Sequence, residues 1–90
     1  MQSMSFKIVS ETGIHAQSAV NLVNEAIKYS SDVLLEVEGK KINMKSIMGV
    51  MSLGIYQGAV VTIHAEGEDE EACVKGIADA IYRLKLGREC

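Results

Sequence analysis

The apolar residues of this chain change period several times along its length, which restricts it to a fold that mixes short strands with short helices. Met4 to Val9 alternates, with Phe6 and Ile8 set against Ser5 and Lys7, as a strand does. After a turn at Ser10 to Gly13 the period lengthens. Ala16, Ala19, Val20, Val23, Ala26 and Ile27 fall on one helical face, with Asn21, Asn24, Glu25 and Lys28 opposite. Tyr29-Ser30-Ser31-Asp32 ends that helix. Val33 to Glu38 returns to strand character, and Gly39 turns it into a shorter strand, Lys40 to Asn43. Lys45 to Leu53 is ambiguous, although Ser46 is placed to cap a short helix that Gly54 would stop. Gly58 marks a turn before the clearest strand, Ala59 to Ala65, AVVTIHA. Asp69 then stands where it can cap a last helix, whose Cys73, Ile77, Ala80, Ile81 and Leu84 share a face, ending at Gly87. The order is that of an α+β layer, a four-stranded sheet with helices on one face. It fits several small folds, ferredoxin-like ones among them.

Ninety residues are expected to make one domain, 1–90. Nearly half are hydrophobic and the charges are dispersed, which excludes disorder. Phe6, Tyr29, Tyr56 and Tyr82 are the only aromatics, so the core must be aliphatic. A net charge of −3 argues against direct nucleic-acid binding, and Lys40, Lys41 and Lys45 read as a solvated hairpin edge. No apolar run approaches the ~18 residues needed to span a bilayer, so membrane insertion is not expected. MQSMSFK has neither the basic nor the apolar region of a signal peptide. Two cysteines do not make a disulfide framework, and a cytoplasmic location is expected.

His15 lies immediately ahead of the first helical repeat, at or beside its N-cap. The N–H groups of Ala16, Gln17 and Ser18 then lack intrahelical partners and, with the positive end of the helix dipole, suit an anion. That positive end also disfavours imidazolium and favours a neutral, nucleophilic ring. A ring nitrogen there can accept a phosphoryl group against waiting donors, and Gly13 lets the loop fold back. Taken alone, a histidine at a helix start is more often a plain surface residue, and that alternative stays open at this point. His15, His64, Cys73 and Cys90 have no metal-ligand spacing, so no metal and no cofactor are expected; His64 reads as an exposed sheet residue.

The segment KSIMGVMSLG, residues 45–54, is the other unusual stretch. Ile47, Met48 and Met51 share one side of the short helix while Val50 and Leu53 can turn inward. Either the first three form an exposed, adaptable patch, or all five pack under the sheet. Ser46 as N-cap needs no function, but a helix N-terminus is also where a phosphoserine is best tolerated.

TGIHA and KSIMGVMSLG together, at this separation, resemble the active-site loop and regulatory serine segment of the HPr family, the histidine-containing phosphocarriers of the bacterial sugar phosphotransferase system. The likeness continues through AVVTIHAEG and EDEEA and covers essentially the whole chain. The resemblance implies an open-faced β-sandwich of four antiparallel strands with three helices on one face. It implies a phosphoryl carrier rather than an enzyme, acting as a monomer. His15 would receive the group from phosphorylated enzyme I and pass it to enzyme II proteins. Ser46 would be the target of a regulatory kinase, as in low-GC Gram-positive members, and the phosphoserine form would meet a transcriptional regulator. Ile47, Met48 and Met51, with Ala19 and Val20, would form the docking surface.

One departure stands out. The family loop usually reads His-Ala-Arg-Pro-Ala, whereas this chain has His15-Ala16-Gln17-Ser18-Ala19. Gln17 offers an amide donor without charge, and losing a charge-assisted hydrogen bond costs ~1.5–3 kcal/mol. Ser18 fits a first helical turn and adds an N–H that proline lacks. Three functions follow: a retuned phosphocarrier, a regulatory adaptor acting through Ser46, or, less well matched, a small ligand-binding domain without phosphoryl chemistry.

Overall fold

Eight segments of regular structure alternate along the chain, and the computed structural model describes all 90 residues. In order they are β1 (Gln2–Ile8), α1 (Ala16–Ala26), β2 (Asp32–Val37), β3 (Lys40–Asn43), α2 (Ile47–Ser52), β4 (Val60–Glu66), α3 (Glu70–Arg83) and β5 (Gly87–Glu89). The strands form one antiparallel sheet in the order β3-β2-β4-β1-β5. Alternation sends Phe6 and Ile8, Val33, Leu35 and Val37, and Val61, Ile63 and Ala65 to one face. The three helices cover that face, and the result is the α+β open-faced sandwich expected from the sequence.

The sheet has five strands rather than four. Gly87 is not merely a helix stop: it lies buried opposite Ile8, and Arg88 and Glu89 pair with Lys7 and Phe6. A Cβ at Gly87 would stand 2.7 Å from the Lys7 carbonyl oxygen, so glycine permits the close approach. Three residues without alternation carry no strand signal of their own; pairing with β1 supplies it. Cys90 continues this edge through a 3.1 Å bond from its N–H to the Ser5 carbonyl.

In α1 the buried stripe is rotated from the one the apolar period predicts. Ala19, Leu22, Val23 and Ala26 face the core, while Ala16 and Ile27 are exposed. Glu25, placed on the polar face by its period, is only 9% exposed. Its carboxylate accepts from Lys28 Nζ and from the Tyr29 hydroxyl, both at 3.1 Å. Gly76 of α3 leaves room for that hydroxyl, which a Cβ would strike. Asp69 is the N-cap of α3 by position, but its carboxylate accepts from the Ser30 and Ser31 N–H groups and the Ser31 hydroxyl instead of capping the helix. That tie binds the end of α1 to the start of α3. No helix is long and apolar enough to cross a membrane.

Candidate functional site

The loop before α1 is fixed from below. Gly13, at φ +64°, donates its N–H to the Ser10 carbonyl at 3.0 Å, and buried Ile14 donates to the Ile55 carbonyl at 3.2 Å. This turn lifts His15 to the N-cap of α1, with extended backbone (φ −104°, ψ −173°) and an exposed side chain. The His15 carbonyl accepts the first helical bond, from Ala19 N–H at 2.8 Å. The Ser18 hydroxyl accepts from the His15 N–H at 2.9 Å and donates to the His15 carbonyl at 3.1 Å. The N–H groups of Ala16 and Gln17 make no hydrogen bond within the protein. An exposed imidazole therefore stands beside free donors at the positive end of a helix, an arrangement suited to holding a tetrahedral oxyanion.

No lysine or arginine occurs between residues 8 and 27. The Gln17 amide is engaged along the helix, donating to Asn21 Oδ1 at 3.3 Å. Ala19, expected at a docking surface, is fully buried in the core; its position on the inward stripe of α1 rules out surface contact by its side chain. Val20 beside it is half-buried.

Ser46 caps α2 by accepting from the Gly49 N–H at 3.0 Å. Lys45 ties the entry of this helix to the end of α1, donating its Nζ to the Tyr29 carbonyl at 2.8 Å. Val50 is buried, whereas Ile47, Met48 and Met51 are 43%, 84% and 42% exposed. The exposed-patch alternative is the one the fold adopts, because a six-residue helix lying on the core has only one inward side. The Ile14–Ile55 bond links the His15 loop to the segment that follows α2.

His64 is half-buried rather than freely exposed. Its Nδ1 lies 2.8 Å from Ser3 Oγ and its Nε2 2.7 Å from Glu36 Oε1, a chain spanning three strands on the uncovered face of the sheet. Neither Ser3 nor Glu36 is legible as its partner before the strand register is known. The largest concavity, about 420 Å³, lies on that same side, lined by Asp32, Leu34, Asn43, Lys45, His64 and Glu66 among others. His15 does not line that concavity and sits on an open surface, which suits a group handed between proteins. No set of His, Cys, Asp and Glu side chains is grouped to hold a metal ion.

Residues 2–83 match the family model described as "PTS HPr component phosphorylation site". The chain belongs to the HPr family. Among solved structures, the histidine-containing phosphocarrier protein of a mycoplasma superposes with a TM-score of 0.94 at 33% identity, covering 97% of this chain and 99% of its own. HPr from Thermoanaerobacter tengcongensis is 46% identical, with a TM-score of 0.87 over 91% of this chain and 92% of its own. Crh of Bacillus subtilis, the catabolite repression HPr, is 43% identical, with a TM-score of 0.73 over 86% and 88% of the two chains; its crystal structure is a swapped, intertwined dimer. The chain is thus similar both to a histidine-containing phosphocarrier protein and to a catabolite repression HPr.

Proposed function

We propose that this HPr family member is a cytoplasmic phosphocarrier of the sugar phosphotransferase system, with His15 as its acceptor. The observation that carries the reading is His15 at the mouth of α1 beside the unpaired N–H groups of Ala16 and Gln17. A ring nitrogen attacks the phosphorus held by enzyme I. A P–N bond forms, the bond to the donor breaks, and the electron pair of the broken bond stays on the donor. The N–H groups of Ala16, Gln17 and Ser18 receive the charged oxygens, and an enzyme II protein later takes the group by the same displacement. Ile47, Met48 and Met51, with half-buried Val20, form the partner surface, on which apolar, flexible side chains adapt to several proteins. The chain acts as a monomer and turns over no substrate of its own. Incubation with enzyme I and phosphoenolpyruvate is expected to label the native protein and not His15→Ala.

A second reading is favoured by the 43% identity to Crh and by the uncharged Gln17. In it, phosphorylation of Ser46 by a kinase makes the patch on α2 the binding face for a transcriptional regulator. Regulator binding that survives His15→Ala but is lost in kinase-treated Ser46→Ala supports this reading over the first.

A further inference from the structure

We propose that Ser18 is a positioning residue for His15, its hydroxyl holding the histidine's main chain so that the ring stays over the donors of the first helical turn. This rests on the reading of His15 as phosphoryl acceptor. One oxygen engages both polar main-chain groups of one residue, accepting from the His15 N–H at 2.9 Å and donating to the His15 carbonyl at 3.1 Å. Ser18 is 4% exposed and the two bonds are part-buried, which limits competition from water. The His15 N–H has no other partner in the protein, so without the hydroxyl the main chain at the root of the imidazole keeps only the Ala19 N–H bond to its carbonyl.

The loop's composition gives this clamp its importance. With no cationic side chain between residues 8 and 27, no lysine or arginine of this loop or helix meets charge on the phosphoryl group, and more of it falls to the backbone donors of the helix mouth. Those donors are directional, so their value depends on where the ring is held. A proline at position 18 would fix its own backbone but would supply neither the hydroxyl nor an N–H. Gln17 and Ser18 therefore read as coupled departures: a charge is absent, and an additional donor and a clamp are present.

The test uses the full chain as the substrate of enzyme I, with native protein, Ser18→Ala, Ser18→Thr and Ser18→Pro. Ser18→Ala is expected to lower kcat about three- to tenfold, the loss of one or two ordinary hydrogen bonds, while KM for the chain changes less than about twofold. Ser18→Thr restores most of that loss. Ser18→Pro, lacking the N–H as well, shortens the lifetime of the phosphohistidine further. Should a variant fail to fold, hydrogen exchange on the native protein decides: the His15 amide is expected to exchange at least about tenfold more slowly than those of Ala16 and Gln17. Native kcat in a folded Ser18→Ala, or equal exchange at the three amides, overturns the proposal. Absence of label on the native protein overturns the acceptor reading itself, a separate outcome.

Discussion

Gly13 turns its left-handed backbone directly against the carbonyl of Ile55, and a Cβ at Gly13 would collide with that oxygen and stand 2.9 Å from the Tyr56 Cα. The contact is backbone to backbone, so neither side can move aside cheaply. It couples the loop that presents His15 to the chain leaving α2, and so sets one candidate site against the other. Gly13→Ala is expected to lower stability by ~2–4 kcal/mol, from the left-handed backbone cost and overpacking together. Urea unfolding followed by circular dichroism measures it; an unchanged midpoint would contradict the packing described.

The N-cap of α2 makes a smaller and more specific prediction. Ser46→Ala removes the acceptor for the Gly49 N–H and should lower stability by ~1 kcal/mol. Ser46→Asp keeps an acceptor and adds a negative charge where the helix dipole favours it, so it should remain within ~0.5 kcal/mol of the native protein. Thermal melts of the pair show whether the bond to the Gly49 N–H is what stabilises the helix.

The tie between Asp69 and the end of α1 carries a pH dependence. The Ser31 hydroxyl, then the Ser30 N–H, hold the Asp69 carboxyl below the ordinary aspartate range. The folded value lies below the unfolded one, so the contribution is fully present above the unfolded value and is lost as pH falls through the folded one. Ser31→Ala removes the largest cause. Its deficit in urea midpoint should be steady near neutrality and shrink below about pH 4. A deficit independent of pH would assign the effect of Ser31 to packing alone.

Two thiols should separate cleanly. Cys73 is fully buried in α3, and burial, reinforced by Asp69, pushes its thiol up; Cys90 is exposed at the end of the β5 edge. Ellman's reagent is expected to titrate one thiol at once in the native protein and the second only after denaturation. Cys90→Ser should abolish the fast phase.

What the sequence disclosed divides by distance along the chain. His15 at the helix mouth, Ser46 as a cap and the apolar side chains left over on α2 are local consequences of spacing, and the structure has them where the spacing puts them. The burial of Glu25 was hidden because it depends on Tyr29 and on the space left by Gly76, a residue from another helix. The strand at Gly87 needed β1 as a partner, and the Ser3–His64–Glu36 chain needed the register of three strands. The inward stripe of α1 is displaced by a fraction of a turn from the apolar period: Leu22 is buried and Val20 stands at the edge of the stripe, while Ala16 and Ile27 lie exposed at the two ends of the helix.

His15 is expected to accept a phosphoryl group although residue 17 is Gln. Intact mass against time, with enzyme I and phosphoenolpyruvate, tests it most directly on the native chain beside Gln17→Arg. An acid-labile gain of about 80 Da, one phosphoryl group, is expected on both proteins, slower on the native one. Label on Gln17→Arg alone would contradict it and leave Ser46 as the site through which this chain acts.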